Sequence, residues 1–191
     1  MTVPEYLTTF VAIIVSLAVA DLLMSLHRLL RARRRVRWFW IPPALALYML
    51  MLAVNFWWGN YFRFVSLTEV SMAQFLSTLA SLVVLFLMVA AALPDEVPES
   101  GLDLGEWYWE NARYFWSLNV IGLTILLTIF AVTHVRTGPD VLQFLGEKIL
   151  NLILLCGAVL LLFTKRVWVH GLYIAFAVGV LAYTSLHLTI R

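Results

Sequence analysis

The chain has 191 residues, of which 63% are hydrophobic and only 13% are charged, and its formal net charge is +2. A soluble domain carries about half apolar and about a quarter charged residues, so this chain has too few polar residues to cover a water-facing surface. The single cysteine, Cys156, excludes a disulfide framework, a CxxC redox pair and a cysteine-rich metal site. The small net charge gives no support to nucleic acid as a partner. The sequence therefore predicts an integral membrane protein.

Six apolar segments are long enough to cross a bilayer, whose hydrocarbon core of about 30 Å requires about 20 residues in a helix. Helices are expected because backbone groups in lipid must pair internally and the sequence shows no alternating strands of a barrel. We predict an all-α fold in which residues 1–191 form a single compact six-helix transmembrane domain. The predicted spans are about 6–29, 41–62, 71–93, 113–135, 144–164 and 168–189.

The breaks between these segments carry residues that end or begin helices. Pro42 and Pro43 stand where the second helix would start, a position that tolerates a missing N–H. The sequence 138–140, Gly-Pro-Asp, is a turn signal after the fourth span. Lys165 and Arg166 leave only a short turn between the fifth and sixth spans.

The distribution of basic residues predicts the orientation, because cytoplasmic loops are rich in lysine and arginine. Alternate sides of the six spans receive nine and four basic residues. The nine are Arg28, Arg31, Arg33, Arg34, Arg35, Arg37, Arg113, Lys165 and Arg166, and the four are Arg63, Arg136, Lys148 and Arg191. We therefore expect both termini outside the cytoplasm, in the plasma membrane (the inner membrane of a bacterium). Aromatic residues at the predicted helix ends agree: Trp38, Trp40, Trp57, Trp58, Tyr61, Trp107, Trp109, Trp116 and Trp168.

Two charged loops fall on the predicted cytoplasmic side. The first holds the topology anchor, Arg31, Arg33, Arg34, Arg35 and Arg37, directly after Arg28. The second, about 94–112, is acidic and carries Asp95, Glu96, Glu99, Asp103, Glu106 and Glu110. Either the two loops dock on each other, or the arginines at 28–37 bind anionic lipid headgroups while the acids are solvated. The aromatic-rich stretch 104–112 is expected to lie along the membrane interface.

Asp21 is the one acid predicted to lie well inside a span. Ser25 and Arg28 follow it at i+4 and i+7, on the same helical face. Ionisable groups within the bilayer are expensive and are functional candidates. Asp21 is therefore either a proton or cation coupling site that Ser25 and Arg28 would tune, or one half of a structural pair with Arg28.

Polar residues recur at helical spacing in the other spans. These stripes would line a wet path from the outside to Asp21, or would form ordinary interhelical hydrogen bonds. The path candidates are Asn55, Gln74, Ser77, Ser81, Thr124, Thr128 and Asn151. In the sixth span, Gly171, Ala175 and Gly179 at four-residue spacing predict a close helix-packing seam, either inside the bundle or between two copies.

Four histidines raise the question of haem, with His27 pairing with His170 and His134 with His187. His170 and His187 leave the sixth span in directions about 100° apart, which disfavours this arrangement. We therefore expect no cofactor and no metal.

No HExxH, GxSxG or glycine-rich phosphate loop is present, so an enzyme is not expected. The sequence favours a small ion, proton or solute channel or transporter, or a membrane subunit of one, with Asp21 as the coupling site. The alternatives are a non-transporting subunit or sensor that binds a partner through its charged loops and, less favoured, a bis-His haem electron carrier. In either case a homo-oligomer or a membrane complex is expected.

Overall fold

The structure is a computed structural model that describes residues 3–65, 70–137 and 141–186. Within these ranges the chain forms six long helices: α1 (Val3–Arg31), α2 (Ile41–Val65), α3 (Met72–Ala90), α4 (Leu104–Thr137), α5 (Val141–Phe163) and α6 (Val167–Leu186). A 3₁₀ turn at Arg33–Arg35 and two short strands, β1 (Val36–Arg37) and β2 (Leu102–Asp103), lie between helices. All six helices are long and apolar enough to cross a membrane. The prediction of an all-α fold with six helices of membrane-spanning length is confirmed.

Local sequence explains where several helices begin. Pro42 and Pro43 occupy the first turn of α2, where backbone N–H groups have no helical partner. Ser71 and Gln74 form a reciprocal capping box at the start of α3. Residues 164–166 alone connect α5 to α6, as the sequence predicted.

The start of α4 differs from the prediction. Residues 104–112 do not lie apart along the interface; they are the first turns of a 34-residue helix. Leu104, Tyr108 and Ala112 are buried at helical spacing, and Trp116, expected at a helix end, is fully buried. Tyr108 of this segment and Trp116, two turns later, pack into the bundle, where both find hydrogen-bond partners.

The helices pack in a closed order, α1–α2–α6–α5–α4–α3 and back to α1, with α2 also against α3 and α4. Many large apolar side chains point outward, as expected for a surface in contact with lipid. We call the end of the bundle at Arg28–Arg37 the arginine face. The opposite end, where α1 begins and α6 ends, is the terminal face.

At the arginine face the two charged loops dock on each other. The strands β1 and β2 pair in parallel, with Val36 opposite Leu102 and Arg37 opposite Asp103. Arg28 donates a 2.7 Å hydrogen bond to the carbonyl oxygen of Asp95. The docking hypothesis is therefore confirmed.

The arginines at the centre of the cluster take no part in this docking through their side chains. Arg31, Arg33, Arg34 and Arg35 are exposed, and their guanidinium groups make no hydrogen bond or ion pair with any residue that the structure describes. They remain available to solvent or to lipid headgroups.

Candidate functional site

A cleft of about 380 Å³ lies in the half of the bundle toward the terminal face, between α2, α3, α4, α5 and α6. A second cavity of about 100 Å³ lies beside it, farther from the terminal face. The residues common to both are Tyr48, Leu52, Phe56, Ser81, Leu123 and Leu126. Along α2 the cleft extends from Arg63 to Tyr48, which corresponds to about 22 Å at 1.5 Å per residue. Its size falls in the range of small-molecule sites.

Three of the predicted path residues line this cleft: Asn55 on α2, Ser81 on α3 and Asn151 on α5. The amide nitrogen of Asn55 donates to the carbonyl of Met51 at 2.9 Å, and its oxygen accepts from the hydroxyl of Ser185 at 3.1 Å. Asn151 makes no hydrogen bond to any described residue. The Asn151 carboxamide therefore remains available to water or to a ligand.

Thr78, which shares the predicted polar stripe of α3 with Ser81, also lines the cleft. Three further polar residues of the cleft were not predicted: Asn60, Arg63 and Thr184. Asn60 and Thr184 bond to carbonyls of their own helices. Each stands in a predicted span or at its end, but single polar residues in a span do not reveal which side of the helix faces a cavity.

The other predicted path residues lie elsewhere. Gln74 belongs to the capping box of α3, and the hydroxyl of Ser77 bonds to the carbonyl of Gln74. Thr124 and Thr128 are exposed, and each hydroxyl bonds to the carbonyl four residues earlier in α4. Such bonds let hydroxyls face lipid without an unpaired donor. These four residues do not line the cleft.

Asp21 also lies outside the cleft, to which the described part of α1 contributes no residue. It stands three helical turns after Phe10, which contacts Phe75 of α3, so Asp21 lies on the flank of α1 that adjoins α3. The expectation that a path from the terminal face reaches Asp21 is not met by this cleft.

The proposed pair between Asp21 and Arg28 is not formed. Arg28 bonds to the Asp95 carbonyl instead, and the buried hydroxyl of Ser25 makes a weak 3.5 Å contact with the Asp95 carboxylate. Asp21 is partly buried and has no hydrogen bond or ion pair with a described residue. The loop therefore engages Arg28, the expected partner of Asp21, and also Ser25, which lies on the same helical face.

A buried polar cluster closes the end of the cleft that is nearest the arginine face. Asn119 of α4 donates to the hydroxyl of Tyr48 at 3.4 Å and accepts from the hydroxyl of Tyr173 at 3.1 Å. All three side chains are buried. The Tyr48–Asn119–Tyr173 cluster links α2, α4 and α6, and Tyr48 forms the floor of both cavities.

A second buried chain lies between this floor and the arginine face. Trp116 Nε1 donates to the hydroxyl of Tyr108 at 3.1 Å, and that hydroxyl bonds to His170 Nδ1. His170 Nε2 lies 2.9 Å from the carbonyl oxygen of Thr164, at the end of α5. Because a carbonyl only accepts, Nε2 carries the proton and Nδ1 accepts from Tyr108. The imidazole thus satisfies a terminal carbonyl of α5.

This chain bears on the haem hypothesis. Both ring nitrogens of His170 are engaged within the protein, whereas His27 is exposed at the arginine face. Axial ligation by His170 would therefore break one of these two hydrogen bonds. The side chain of His134 and all of His187 lie outside the described residues. In the described part of the chain, no three His, Cys, Asp or Glu side chains cluster as metal ligands would.

The predicted glycine seam does not form a continuous contact within the chain. At Gly171 an added Cβ would lie 2.5 Å from the indole of Trp40, so this glycine does permit a close approach. Ala175 and Gly179 are exposed, and nothing lies within 4 Å of a Cβ at Gly179. The close approach of α5 and α6 occurs instead at Gly157, against the ring of Tyr173.

Comparison of the chain with protein-family models, curated proteins and solved structures finds no match. Six apolar helices of membrane-spanning length suggest a multi-pass membrane protein, and the cleft is the feature from which a more specific role can be argued.

Proposed function

We propose that this membrane protein binds a small solute in the cleft and carries it across the bilayer. One observation carries the proposal: a cavity lined by five helices reaches from Arg63 to Tyr48 and is closed below by hydrogen-bonded side chains. Amide and hydroxyl groups at Asn55, Ser81 and Asn151 supply polar contacts within an otherwise apolar wall. This combination is typical of small-molecule sites.

The closed floor favours a carrier over an open channel. Between Tyr48 and the arginine face stand Trp116, Tyr108 and His170, all buried and bonded to one another. A solute in the cleft is therefore accessible from one side only. Passage requires a second conformation in which the Tyr48–Asn119–Tyr173 cluster separates, as in alternating-access transport. On the orientation that the basic residues favour, the cleft faces the outside of the cell.

The second candidate function is partner binding at the arginine face. Docking occupies Arg28, Arg37 and Asp103. Exposed charges remain on both loops, including Arg33, Arg34 and the acids Glu96 and Glu99. This surface supports the alternative of a membrane subunit or sensor, but it explains neither the cleft nor its floor.

Cysteine accessibility tests the carrier proposal without knowledge of the solute. In a Cys156→Ser background, Asn151→Cys is expected to react with a charged, membrane-impermeant thiol reagent at least about tenfold faster than Thr124→Cys. Thr124 is the matched control because it faces outward on α4. Equally slow reaction at both positions would show that the cleft is not accessible to water, and this result would contradict the proposal.

A cysteine at Leu52, which lines both cavities, separates a carrier from a one-sided binding protein. A carrier alternates, so Leu52→Cys reacts with reagent added from either face of sealed vesicles. A receptor or subunit with a static floor reacts from the terminal face only, and that result would contradict transport.

A further inference from the structure

A pocket of about 420 Å³ opens at the arginine face, between the end of α1 and the loop that follows α3. The residues that line it are Arg28, Arg31, Ala32, Arg35, Glu96 and Val97. The loop is held against the arginines at both ends. At one end Arg28 donates to the carbonyl oxygen of Asp95 at 2.7 Å. At the other, a Cβ on Gly101 would lie 2.8 Å from the carbonyl oxygen of Arg35. Docking of the two loops therefore builds this pocket.

The pocket brings charges of both signs together. The guanidinium groups of Arg31 and Arg35 are exposed and make no hydrogen bond or ion pair with a described residue. The carboxylate of Glu96 is also exposed and has no such partner among the described residues. The two nearest acids, Asp95 and Glu99, do not line the pocket, and the Asp95 carboxylate contacts a hydroxyl of α1 at 3.5 Å. The pocket thus offers cationic donors and one anionic acceptor to the same ligand.

A phosphate joined to an ammonium fits these charges better than a simple anion. Guanidinium groups bind phosphate oxygens through charge-assisted N–H donors. Glu96 would repel a ligand that carries only negative charge, whereas it can accept from the three N–H donors of an ammonium. The seven residues from Arg28 to Arg35 extend about 10 Å, which accommodates a phosphate and an amine on a two-carbon linker.

The pocket also lies where a phospholipid headgroup would lie. Trp38 and Trp40, which follow the arginine turn, are 44% and 53% exposed, and exposed tryptophan is typical of the membrane interface. Toward the centre of the bundle, Leu17 and Met24 share a face of α1 with Arg28, and both side chains are exposed. They provide an apolar surface for an acyl chain beside the pocket, which favours a membrane lipid over a soluble phosphate ester.

We propose that this pocket binds the headgroup of a phosphoethanolamine lipid, with its phosphate at Arg31 and Arg35 and its ammonium at Glu96. The site lies at the opposite end of the bundle from the mouth of the cleft and does not depend on transport. It differs from a general attraction of anionic lipids to exposed arginines, because it requires a positive charge on the ligand. A lipid bound here connects the acidic loop to the end of α1 through its two charges.

The test uses native mass spectrometry of the purified full-length protein with dioleoyl lipids that differ only in the headgroup. Phosphatidylethanolamine is expected to bind at least about tenfold more tightly than phosphatidylcholine, whose trimethylammonium group has no N–H donor for Glu96. Equal binding of the two lipids would overturn the proposal. Soluble glycerophosphoethanolamine at equal concentration should not displace the lipid, and displacement would overturn the assignment to a membrane lipid.

Two pairs of variants locate the bound headgroup. Glu96→Gln should remove the preference for phosphatidylethanolamine over phosphatidylcholine, while Glu99→Gln, outside the pocket in the same loop, should keep it. Arg31→Gln should weaken the binding of both lipids about tenfold, because a charge-assisted contact to phosphate is lost. Arg33→Gln is its exposed control outside the pocket. The preference compares two lipids on one protein, so Glu96→Gln keeps the test decisive if Arg31→Gln does not fold. An unchanged preference in Glu96→Gln would overturn the assignment to this pocket.

Phosphatidylglycerol separates a contact with the amine from a structural role of Glu96. This lipid carries the phosphate and lacks the amine, so Glu96→Gln should strengthen its binding while it weakens that of phosphatidylethanolamine. A parallel loss of both lipids would show that Glu96 only positions the loop, and this result would overturn the proposal. None of these outcomes bears on the reactivity of Asn151→Cys in the cleft, so the two proposals fail separately.

Discussion

Arg37 and Asp103 face each other across the parallel strand pair, with 3.1 Å between Nη1 and Oδ2. The other carboxylate oxygen of Asp103 accepts from the backbone N–H groups of Gly105 at 2.7 Å and Glu106 at 3.1 Å. One side chain thus caps α4 and ties it to the loop that follows α1. N–H donation from Glu106 and then from Gly105, with Arg37 adding its charge, holds the pKa of Asp103 below its ordinary value.

The lowered pKa of Asp103 predicts a pH-dependent contribution to stability. Because the pKa of Asp103 is lower in the folded protein, the ionised carboxylate stabilises the folded state fully at pH values above the ordinary aspartate pKa of about 4. This stabilisation is lost as the pH falls through the lower pKa of the folded state. Asp103→Asn keeps a good capping oxygen and removes the charge, so its Tm should be slightly below wild type at pH 7 and equal to it in acid. Asp103→Ala loses the cap as well and should melt a few degrees lower at every pH. Thermal unfolding from pH 3 to pH 8 measures this; a deficit of Asp103→Asn that persists in acid would contradict it.

Gly101 should tolerate no side chain. Its φ of +97° is a conformation that other residues rarely adopt, and a Cβ there would lie 2.8 Å from the carbonyl oxygen of Arg35. We expect Gly101→Ala to destabilise the docked loop by about 1–3 kcal/mol and to increase hydrogen exchange of amides in 94–103. Gly146→Ala on α5 is the control, since a Cβ there meets no atom within 4 Å and gains up to about 1 kcal/mol of helix propensity. Similar behaviour of the two variants would show that the loop does not need this glycine.

The hydroxyl of Tyr108 serves two buried partners, so its removal should be costly. In Tyr108→Phe, Trp116 Nε1 loses its acceptor and His170 Nδ1 loses its donor. Leaving buried polar groups unpaired predicts a loss of about 1–3 kcal/mol in the free energy of unfolding. Denaturant titration followed by tryptophan fluorescence measures it. Tyr114→Phe, at an exposed position of the same helix, should be neutral, and an equally small effect of both changes would contradict the hydrogen-bonded chain.

The position of Asp21 predicts that the cleft is independent of its charge. No described residue of α1 lines the cleft, so Asp21→Asn should leave the reaction rate of Asn151→Cys with the charged thiol reagent within about twofold of its parent. Gly59→Phe, which fills the cleft and is introduced as the positive control, should slow the same reaction at least about tenfold. A tenfold effect of Asp21→Asn would show that Asp21 is coupled to the cleft, as the sequence alone had suggested.

Much of the fold follows from hydropathy, because the bilayer requires long apolar helices separated by polar turns. The sequence also selects Asn55, Ser81 and Asn151, since polar groups in a span tend to face the bundle. It does not separate them from Thr124 and Thr128, because a hydroxyl bonded to its own helix backbone can face lipid.

The two buried networks were not predictable from spacing. His170 and Tyr108 are 62 residues apart, and Tyr48 and Asn119 are 71 apart, so their contacts depend on the order in which the helices pack. The prediction that residues 104–112 lie along the membrane interface was wrong for the same reason. Tryptophan and tyrosine suit either a membrane interface or a buried network, and only the neighbouring α6 decides between them.

The arginines of the arginine face should fall into two functional groups, those that dock the two loops and those that remain exposed. Docking uses Arg28 and Arg37, whereas Arg33, Arg34 and Arg35 form the exposed 3₁₀ turn. In a Cys156→Ser background, Val36→Cys and Leu102→Cys face each other in the strand pair, at a spacing that permits a disulfide. Its rate of formation reports docking, and native mass spectrometry with phosphatidylglycerol reports headgroup binding.

Neutralising Arg33, Arg34 and Arg35 to glutamine should leave the disulfide rate unchanged. The same triple change should weaken phosphatidylglycerol binding about 100-fold, since each arginine near the surface contributes about 1 kcal/mol. Neutralising Arg28 and Arg37 should slow the disulfide, because both bonds to the acidic loop are lost, while the triple cluster still binds lipid. Slower disulfide formation in the triple variant would show that all the arginines act together in docking. Unchanged phosphatidylglycerol binding in that variant would show that Arg33, Arg34 and Arg35 do not bind the headgroup.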